Sequence, residues 1–409
     1  VTDKTQHYDV VIIGGGLVGG SFALLLAGQN RQQSLRILLV DAMPLATAAG
    51  EPDFDARSTA LSWGSHLIYR QAGLWDDLAS HACAIKDIHV SDRGHFGAAR
   101  LHNTDVDVPA LGFVIENRHL AATLNKRLLE HPDIEVCSPA SVQRVRHTAT
   151  GMQIEVQGQD QVASTIDASL MVLADGGRSD ICSQLGIQLE RKPYQQHALI
   201  CNVAFEHPHQ GLAFERFTDT GPLAVLPLSD TEQEHRGALV WTVAEQEAAA
   251  ITQLPEAGFL HALQERFGTR LGRFTRAGAR SLYPLTLMLA REQIRPGLVL
   301  LGNVAHTLHP VAGQGLNLAL RDADALAQAL AEQAETHGAA AVGDYLMLEQ
   351  YLQAQQSDQN LTVMFSDLTT RLFANRNPAM AAGRNLGLLF MDVMPPAKQW
   401  FARQAMGLR

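Results

Sequence analysis

The chain has 409 residues, too many for one small core, and 46% are apolar against 18% charged, which excludes a disordered chain and fits two packed domains. With 32 basic and 42 acidic residues the formal charge is −10, which argues against a general nucleic-acid surface. The four cysteines, Cys83, Cys137, Cys182 and Cys201, form no C-x-x-C pair, so reduced thiols in a cytoplasmic protein are expected rather than zinc or disulfides.

Asp9–Ile13 is a β-branched run suited to a strand buried on both faces, and Gly14-x-Gly16-x-x-Gly19 follows at once. Leu17–Ala27 then predicts an apolar helix, and Arg36–Val40 a second strand ending on Asp41. This is a complete βαβ unit. Its glycines allow a tight turn and close approach of the backbone to a pyrophosphate, and Asp41 stands where a ribose hydroxyl is held. The motif does not separate NAD from FAD. The charge-free run Val10–Asn30 is not read as a membrane span, because the glycines from Gly14 to Gly20 interrupt it.

Beyond Asp41 the alternation stops. Leu61–Leu78 has helical spacing, and Arg57 before it is either a solvated charge or a phosphate or flavin contact. Short strands and turns are expected over Ile85–Phe113, then a helix from Glu116 past Arg118 to His131-Pro132. Ile134–Cys137, Val142–Val145, Met152–Val156 and Ala163–Ile166 read as a meander lying over the cofactor domain. Leu170–Ala174 is a separate buried strand ending on Asp175-Gly176, where parallel sheets place their ligands. From Gln188 to Gly278 the pattern is a second domain. Strands Ala198–Phe205, Gly211–Phe217, Leu223–Leu228 and Ala238–Val243, with a helix Phe259–Phe267, would make an antiparallel sheet able to wall a substrate chamber. Arg280–Leu289 returns as a strand.

Leu298–Leu301 is another buried strand. It runs into Gly302 and Asn303, a loop with His306, His309 and Pro310, and then Gly313-Gln314-Gly315, which opens a helix through Leu316 and Asn317 to Gln333. A strand that delivers a glycine-opened helix is an anion or cofactor cradle, because the first helical turn offers free N–H groups and a positive dipole end. His306 and His309 are candidate acid or base groups, although loop histidines more often pack or hydrogen-bond. Two histidines without a carboxylate constellation imply no metal. A long helix is expected over roughly 340–366. Asn385–Val393 then places apolar residues on one face, which packs on the body or meets a membrane surface or partner, with Lys398, Arg403 and Arg409 nearby.

Three motifs in one order resemble the flavin-dependent aromatic hydroxylases of the para-hydroxybenzoate hydroxylase type: Gly14 to Gly19, Asp175-Gly176, and Gly302-Asn303 with Ala305-His306, Pro310 and Gly313-Gln314-Gly315-x-Asn317. The resemblance implies FAD, with Arg57 and Arg118 where the family's FAD-touching arginines fall. It also implies NADPH or NADH as transient electron donor, dioxygen, and hydroxyl transfer to a phenol ring. Asn303 stands where the family usually has aspartate; its amide oxygen can still accept a ribityl hydroxyl. Asp55-Ala-Arg57, Thr307–Gly315, Gln356-Ser-Asp358, Leu372–Arg376 and Gly383-Arg384-Asn385 narrow the likeness to the ubiquinone-biosynthesis hydroxylases. That branch implies a prenylated phenol substrate, association with other proteins of the pathway, and contact at the inner face of the membrane. The expected fold is α/β: a Rossmann-like FAD-binding domain in three parts (1–84, 111–187, 286–332), a mixed or antiparallel substrate sheet in two (85–110, 188–285), and a C-terminal helical region (333–409). An FAD-dependent oxidoreductase without oxygen insertion and a non-catalytic flavoprotein scaffold are the alternatives.

Overall fold

A computed structural model describes residues 6–29, 35–50, 54, 56–94, 97–159, 162–309, 313–374, 390 and 394–408. The chain begins with β1 (Gln6–Ile13), α1 (Leu17–Gln29), β2 (Ile37–Val40) and β3 (Ser58–Ser62). After α2 (Trp63–Gln71) and α3 (Trp75–Leu78) come β4 (Ala82–Ile85), β5 (Asp87–Asp92), β6 (Ala98–His102), β7 (Gly112–Glu116) and α4 (Asn117–Glu130). Strands β8 (Ile134–Cys137), β9 (Ala140–Thr148), β10 (Gly151–Gly158) and β11 (Ala163–Leu173) lead to α5 (Ile181–Gln184). Then follow β12 (Leu189–Phe205), β13 (Leu212–Thr218), β14 (Gly221–Pro227), β15 (His235–Ala244), α6 (Glu245–Gln253) and α7 (Glu256–Phe267). The last strands are β16 (Phe274–Ala277), β17 (Ser281–Ala290), β18 (Ile294–Arg295), β19 (Leu298–Leu300) and β20 (His306–Thr307). Helices α8 (Gln314–His337), α9 (Tyr345–Ala374) and α10 (Pro395–Ala405) close the chain.

The first sheet has the order β18-β19-β11-β1-β2-β8, and its central pairings, β19 with β11, β11 with β1, β1 with β2 and β2 with β8, are all parallel. Its middle strands are apolar on both faces because both are covered. Val10, Ile12, Val172 and Val299 pack against α1, α4, α8 and α9, whereas Val11, Met171 and Leu298 pack against the β9–β10 side. Gly14, with φ of 104°, turns the chain out of β1, and a side chain at Gly19 would collide with the Gly14 carbonyl oxygen.

Two expectations change here. The strands anticipated at Ala163–Ile166 and Leu170–Ala174 are one continuous β11, because its first half pairs antiparallel with β10 and its second half parallel with β1. The meander is therefore continuous with the first sheet through β11 while β9 and β10 also cover one of its faces, and β8 sits on the sheet's edge. The helical stretch Leu61–Leu78 is split. Leu61 and Ser62 belong to β3, Ser62 accepts the Ser65 N–H to cap α2, and Gly73 at φ 68° separates α2 from α3.

The second sheet has the order β20-β17-β12-β15-β14-β13-β5-β6, with β16 paired to β12. On its outer face Phe214, Leu223, Leu239 and Trp241 pack against Phe259, Leu263 and Phe267 of α7. On its inner face Ala213 and Ala238 meet Leu111, Val114, Ala402 and Met406, which belong to the β7 region and α10. A small sheet, β3-β7-β4, joins the two larger ones. Helix α6 was not anticipated: its sequence, EQEAAAITQ, buries a single residue, Ala248, and so carries little apolar periodicity.

Candidate active site

A cleft of about 630 Å³ opens at the C-terminal ends of the parallel strands. Gly14, Gly16 and Asp41 line it from the first βαβ unit, Asp175 and Gly176 from the end of β11, Asn303 from the loop after β19, and Leu316 from the first turn of α8. Arg57 and Arg178 also reach it. Six segments far apart in sequence thus converge.

Each has a local reason. Asp41 accepts N–H groups from Gly15 at 2.6 Å and Met43 at 2.7 Å, which fixes its carboxylate at the strand end. Asp175 accepts from Gly177 at 2.9 Å and Ser179 at 2.8 Å, so this carboxylate shapes its own turn. The carbonyl of Arg57 accepts the Asn117 N–H at 2.7 Å, while its guanidinium Nη1 donates to the Tyr283 hydroxyl at 2.8 Å, across to the second sheet. A Cβ built on Gly16, Gly176 or Gly315 would meet nothing within 4 Å, so these backbones face open space. Gly313 adopts the left-handed conformation, φ 62°, as the residue before α8.

The remaining candidates lie elsewhere. Asn317 is buried and its amide is fully used: it accepts from Ser62 N at 2.8 Å and Ser65 Oγ at 2.7 Å, and donates to the carbonyls of Gly313 at 2.8 Å and Ala60 at 3.0 Å. Gln314 turns away from the cleft and donates to the Ala405 carbonyl at 3.3 Å. Arg118 is not among the cleft-lining residues; its Nε and Nη2 each lie 2.7 Å from Glu116. Gly19 and Gly302 pack against protein, the latter facing Val18. His306 Nε2 lies 2.9 Å from Asp322 Oδ2, both side chains buried, and Gln359 donates to the same carboxylate oxygen at 3.0 Å. His309 is buried with neither ring nitrogen bonded among the described residues, and meets Tyr194 edge-on at 5.3 Å. Burial pushes its imidazole down to about 4. Pro310 lies outside the described residues.

The donor set fits a flavin dinucleotide. Asp41 can take a ribose diol, the α1 N-terminus a pyrophosphate, Asn303 a ribityl hydroxyl, and the α8 N-terminus the electron-rich edge of the ring system. Residues 7–354 match the family model described as an FAD binding domain. The chain belongs to this FAD-binding family. Over 98% of its length it is 33% identical to the ubiquinone hydroxylase UbiL of Rhodospirillum rubrum, of which 89% is covered. It is 30% identical, again over 98%, to the 3-demethoxyubiquinol 3-hydroxylase of Escherichia coli, of which 99% is covered. The solved p-nitrophenol 4-monooxygenase PnpA from Pseudomonas putida shares the fold, with a TM-score of 0.78 at 19% identity over 99% of each chain. The protein is thus an enzyme of the FAD-dependent monooxygenase type.

Sequence reasoning missed part of the cleft wall: Pro44 and Leu45 on the loop after β2, and Ala121 and Leu124 on α4. No periodic signal marks that loop. It also missed Asp322, the partner of His306, although both residues are polar and flank the glycine-opened helix start.

The two glycines separate structure from binding. Gly16→Ala should leave apoprotein thermal unfolding unchanged and weaken FAD at least about tenfold, roughly 1.4 kcal/mol, by flavin-fluorescence titration. Gly19→Ala should instead cost folded protein altogether. For His309, a folded value near 4 below the ordinary 6.5 means its contribution is intact above pH 6.5 and is lost as pH falls toward 4, about 3 kcal/mol in all. His309→Leu should therefore flatten the loss of stability between pH 6.5 and 4, read by denaturant titration at each pH.

Proposed function

We propose that this protein is an NAD(P)H-dependent hydroxylase of a prenylated methoxyphenol in ubiquinone biosynthesis. The observation that carries the reading is that the first turn of α8 separates two unlike surfaces. Leu316 lines the polar cofactor cleft, while Gln314, two residues earlier, lines an apolar pocket with Leu361 and Phe365 of α9 and Phe401 of α10. A flavin whose ring reaches α8 therefore ends beside the apolar side chains of α9 and α10. The names of the two ubiquinone-pathway relatives support the same substrate class.

Bound FAD, once reduced by NADPH or NADH, supplies the oxygen chemistry. The chain's residues do the rest. The first-turn N–H groups of Gly315 and Leu316 favour negative charge on the ring edge that meets α8. The apolar pocket walls exclude water from the reacting face. Arg57, tied to Tyr283, holds the second sheet over the cleft mouth.

Contact with an anionic membrane surface belongs to the same proposal. Met364, Leu368, Trp400 and Met394 are exposed apolar residues on or beside α9 and α10. Residues 371–409 carry six basic side chains against one acidic one, in a chain of net charge −10. Among the described residues no helix is long and apolar enough to cross a membrane.

Purified protein with FAD, NADPH, 2-methoxy-6-prenylphenol and isotopically labelled oxygen gas should yield product with one labelled atom. Flavin reduction without labelled product would sink the hydroxylase reading in favour of an oxidoreductase that inserts no oxygen. Leu316→Pro, which removes one first-turn N–H where the helix tolerates proline, should reduce both FAD affinity and the hydroxylation rate.

A further inference from the structure

The second sheet carries one buried carboxyl that nothing above employs. Glu215, on β13, is 9% exposed, and no hydrogen bond or ion pair to it is found among the described residues. Its direct cross-strand neighbours are Ala224 on β14 and Val90 on β5, both apolar. An unpaired carboxyl enclosed by protein is costly to keep, and such groups concentrate where chemistry uses them.

Strand alternation fixes the side it faces. Phe214 packs outward with Phe259 and Phe267 of α7, whereas Ala213 packs inward with Ala402 and Met406 of α10. Glu215, two residues past Ala213, faces inward. The same inner face is the one turned toward the cofactor. Asn202, opposite Ala238 in the inner cluster, donates to the carbonyls of Phe54 and Ala56 at 2.7 Å each, beside Arg57. Tyr283, opposite Ala198 on that face, holds the Arg57 guanidinium. Two strands, β15 and β14, lie between β12 and β13, which are three inter-strand steps or roughly 14 Å apart. Helix α9 packs across β13 and β14 and also supplies Leu361, Thr362 and Phe365 to the apolar pocket beside Gln314. Glu215 is thus on the sheet face that α9 and α10 cover.

We propose that Glu215 is the catalytic base that takes the proton from the substrate's phenolic hydroxyl. The inference rests on the hydroxylase reading above. The phenol O–H bond breaks, its electron pair stays on the ring oxygen, and a carboxyl O–H bond forms on Glu215. The added electron density on the ring carbons ortho and para to that oxygen makes them better nucleophiles toward an electrophilic oxygen. The proton returns to the ring oxygen when the phenol product forms.

The surroundings poise the group for this role. Burial alone pushes the carboxyl up to about 7, so it remains basic at neutral pH yet is far more proton-hungry than an exposed glutamate. The titratable groups on the elements packed around it do not pair with it. Asp92 lies two residues along β5 from Val90. On α9, Asp358 is bound by Arg321 and Asp367 accepts from Tyr194, and on α10 Lys398 is bound by Asp105, while Arg403 is exposed.

The test uses FAD-loaded wild type, Glu215→Gln and Glu215→Asp with 2-methoxy-6-prenylphenol and NADPH. Flavin content, labelled-oxygen incorporation and kcat are measured from pH 5.5 to 8.5. Wild type should lose kcat as pH falls below about 7, because a protonated carboxyl accepts nothing. Glu215→Gln should retain FAD, hydroxylate about a hundredfold more slowly and lose that acid limb. Glu215→Asp should recover the limb with part of the rate, and it decides the matter should the glutamine variant lose flavin. Wild-type rate and profile in Glu215→Gln, or no acid limb in Glu215→Asp, would overturn the proposal while leaving the hydroxylase reading intact. A wild type that incorporates no labelled oxygen overturns both.

Discussion

The architecture of the site depends on one buried amide. Asn317 sits in the first turn of α8 and hydrogen-bonds in four directions, to β3, to the start of α2 and to the left-handed Gly313. Removing it would strand several buried polar groups, each costing about 1–3 kcal/mol. More important is what the amide holds still. The helix whose first turn lines the cleft is locked to the small sheet that joins the two large ones, so the cleft and the second sheet share one frame. The pair His306 and Asp322, bonded further by Gln359, ties the same helix to the loop before it and to α9.

The parts that could be read from sequence are those whose physics is local. The β1–α1–β2 unit lies within some three dozen consecutive residues, and its glycines and Asp41 occupy positions that only backbone geometry and a diol explain. The glycine-opened α8 was legible for the same reason. What escaped were side chains whose partners are remote. Gln314 looks like a cofactor ligand by position, yet it points to Ala405, some ninety residues on. Asn317 looks equally polar and available, and is spent on protein. Arg118 lies beside the cleft residue Asn117, yet Glu116 holds its guanidinium. In each case tertiary packing decides which direction a side chain takes from a correctly placed backbone.

The second sheet shows the same division. Its strands alternate legibly, but alternation cannot say which face meets an outer helix and which meets the cofactor domain. That assignment comes from α7 on one side and, on the other, from α10, which joins the sheet from well down the chain. Glu215 is a polar residue on a strand until the inner face is known, and only then an enclosed carboxyl.

The strand order also constrains biosynthesis. β1 emerges first from the ribosome, yet its parallel neighbour β11 follows about a hundred and fifty residues later, and β19 later still, after every strand of the second sheet but β20 has been made. The dinucleotide fingerprint is thus an early promise with a late partner. Until Asn303 and Leu316 have been translated, the pocket has no far wall, and the nascent chain must carry exposed apolar strand edges meanwhile. Flavin capture is then one of the last events of maturation, which makes the supply of FAD at the end of synthesis a control point for how much of the translated protein survives.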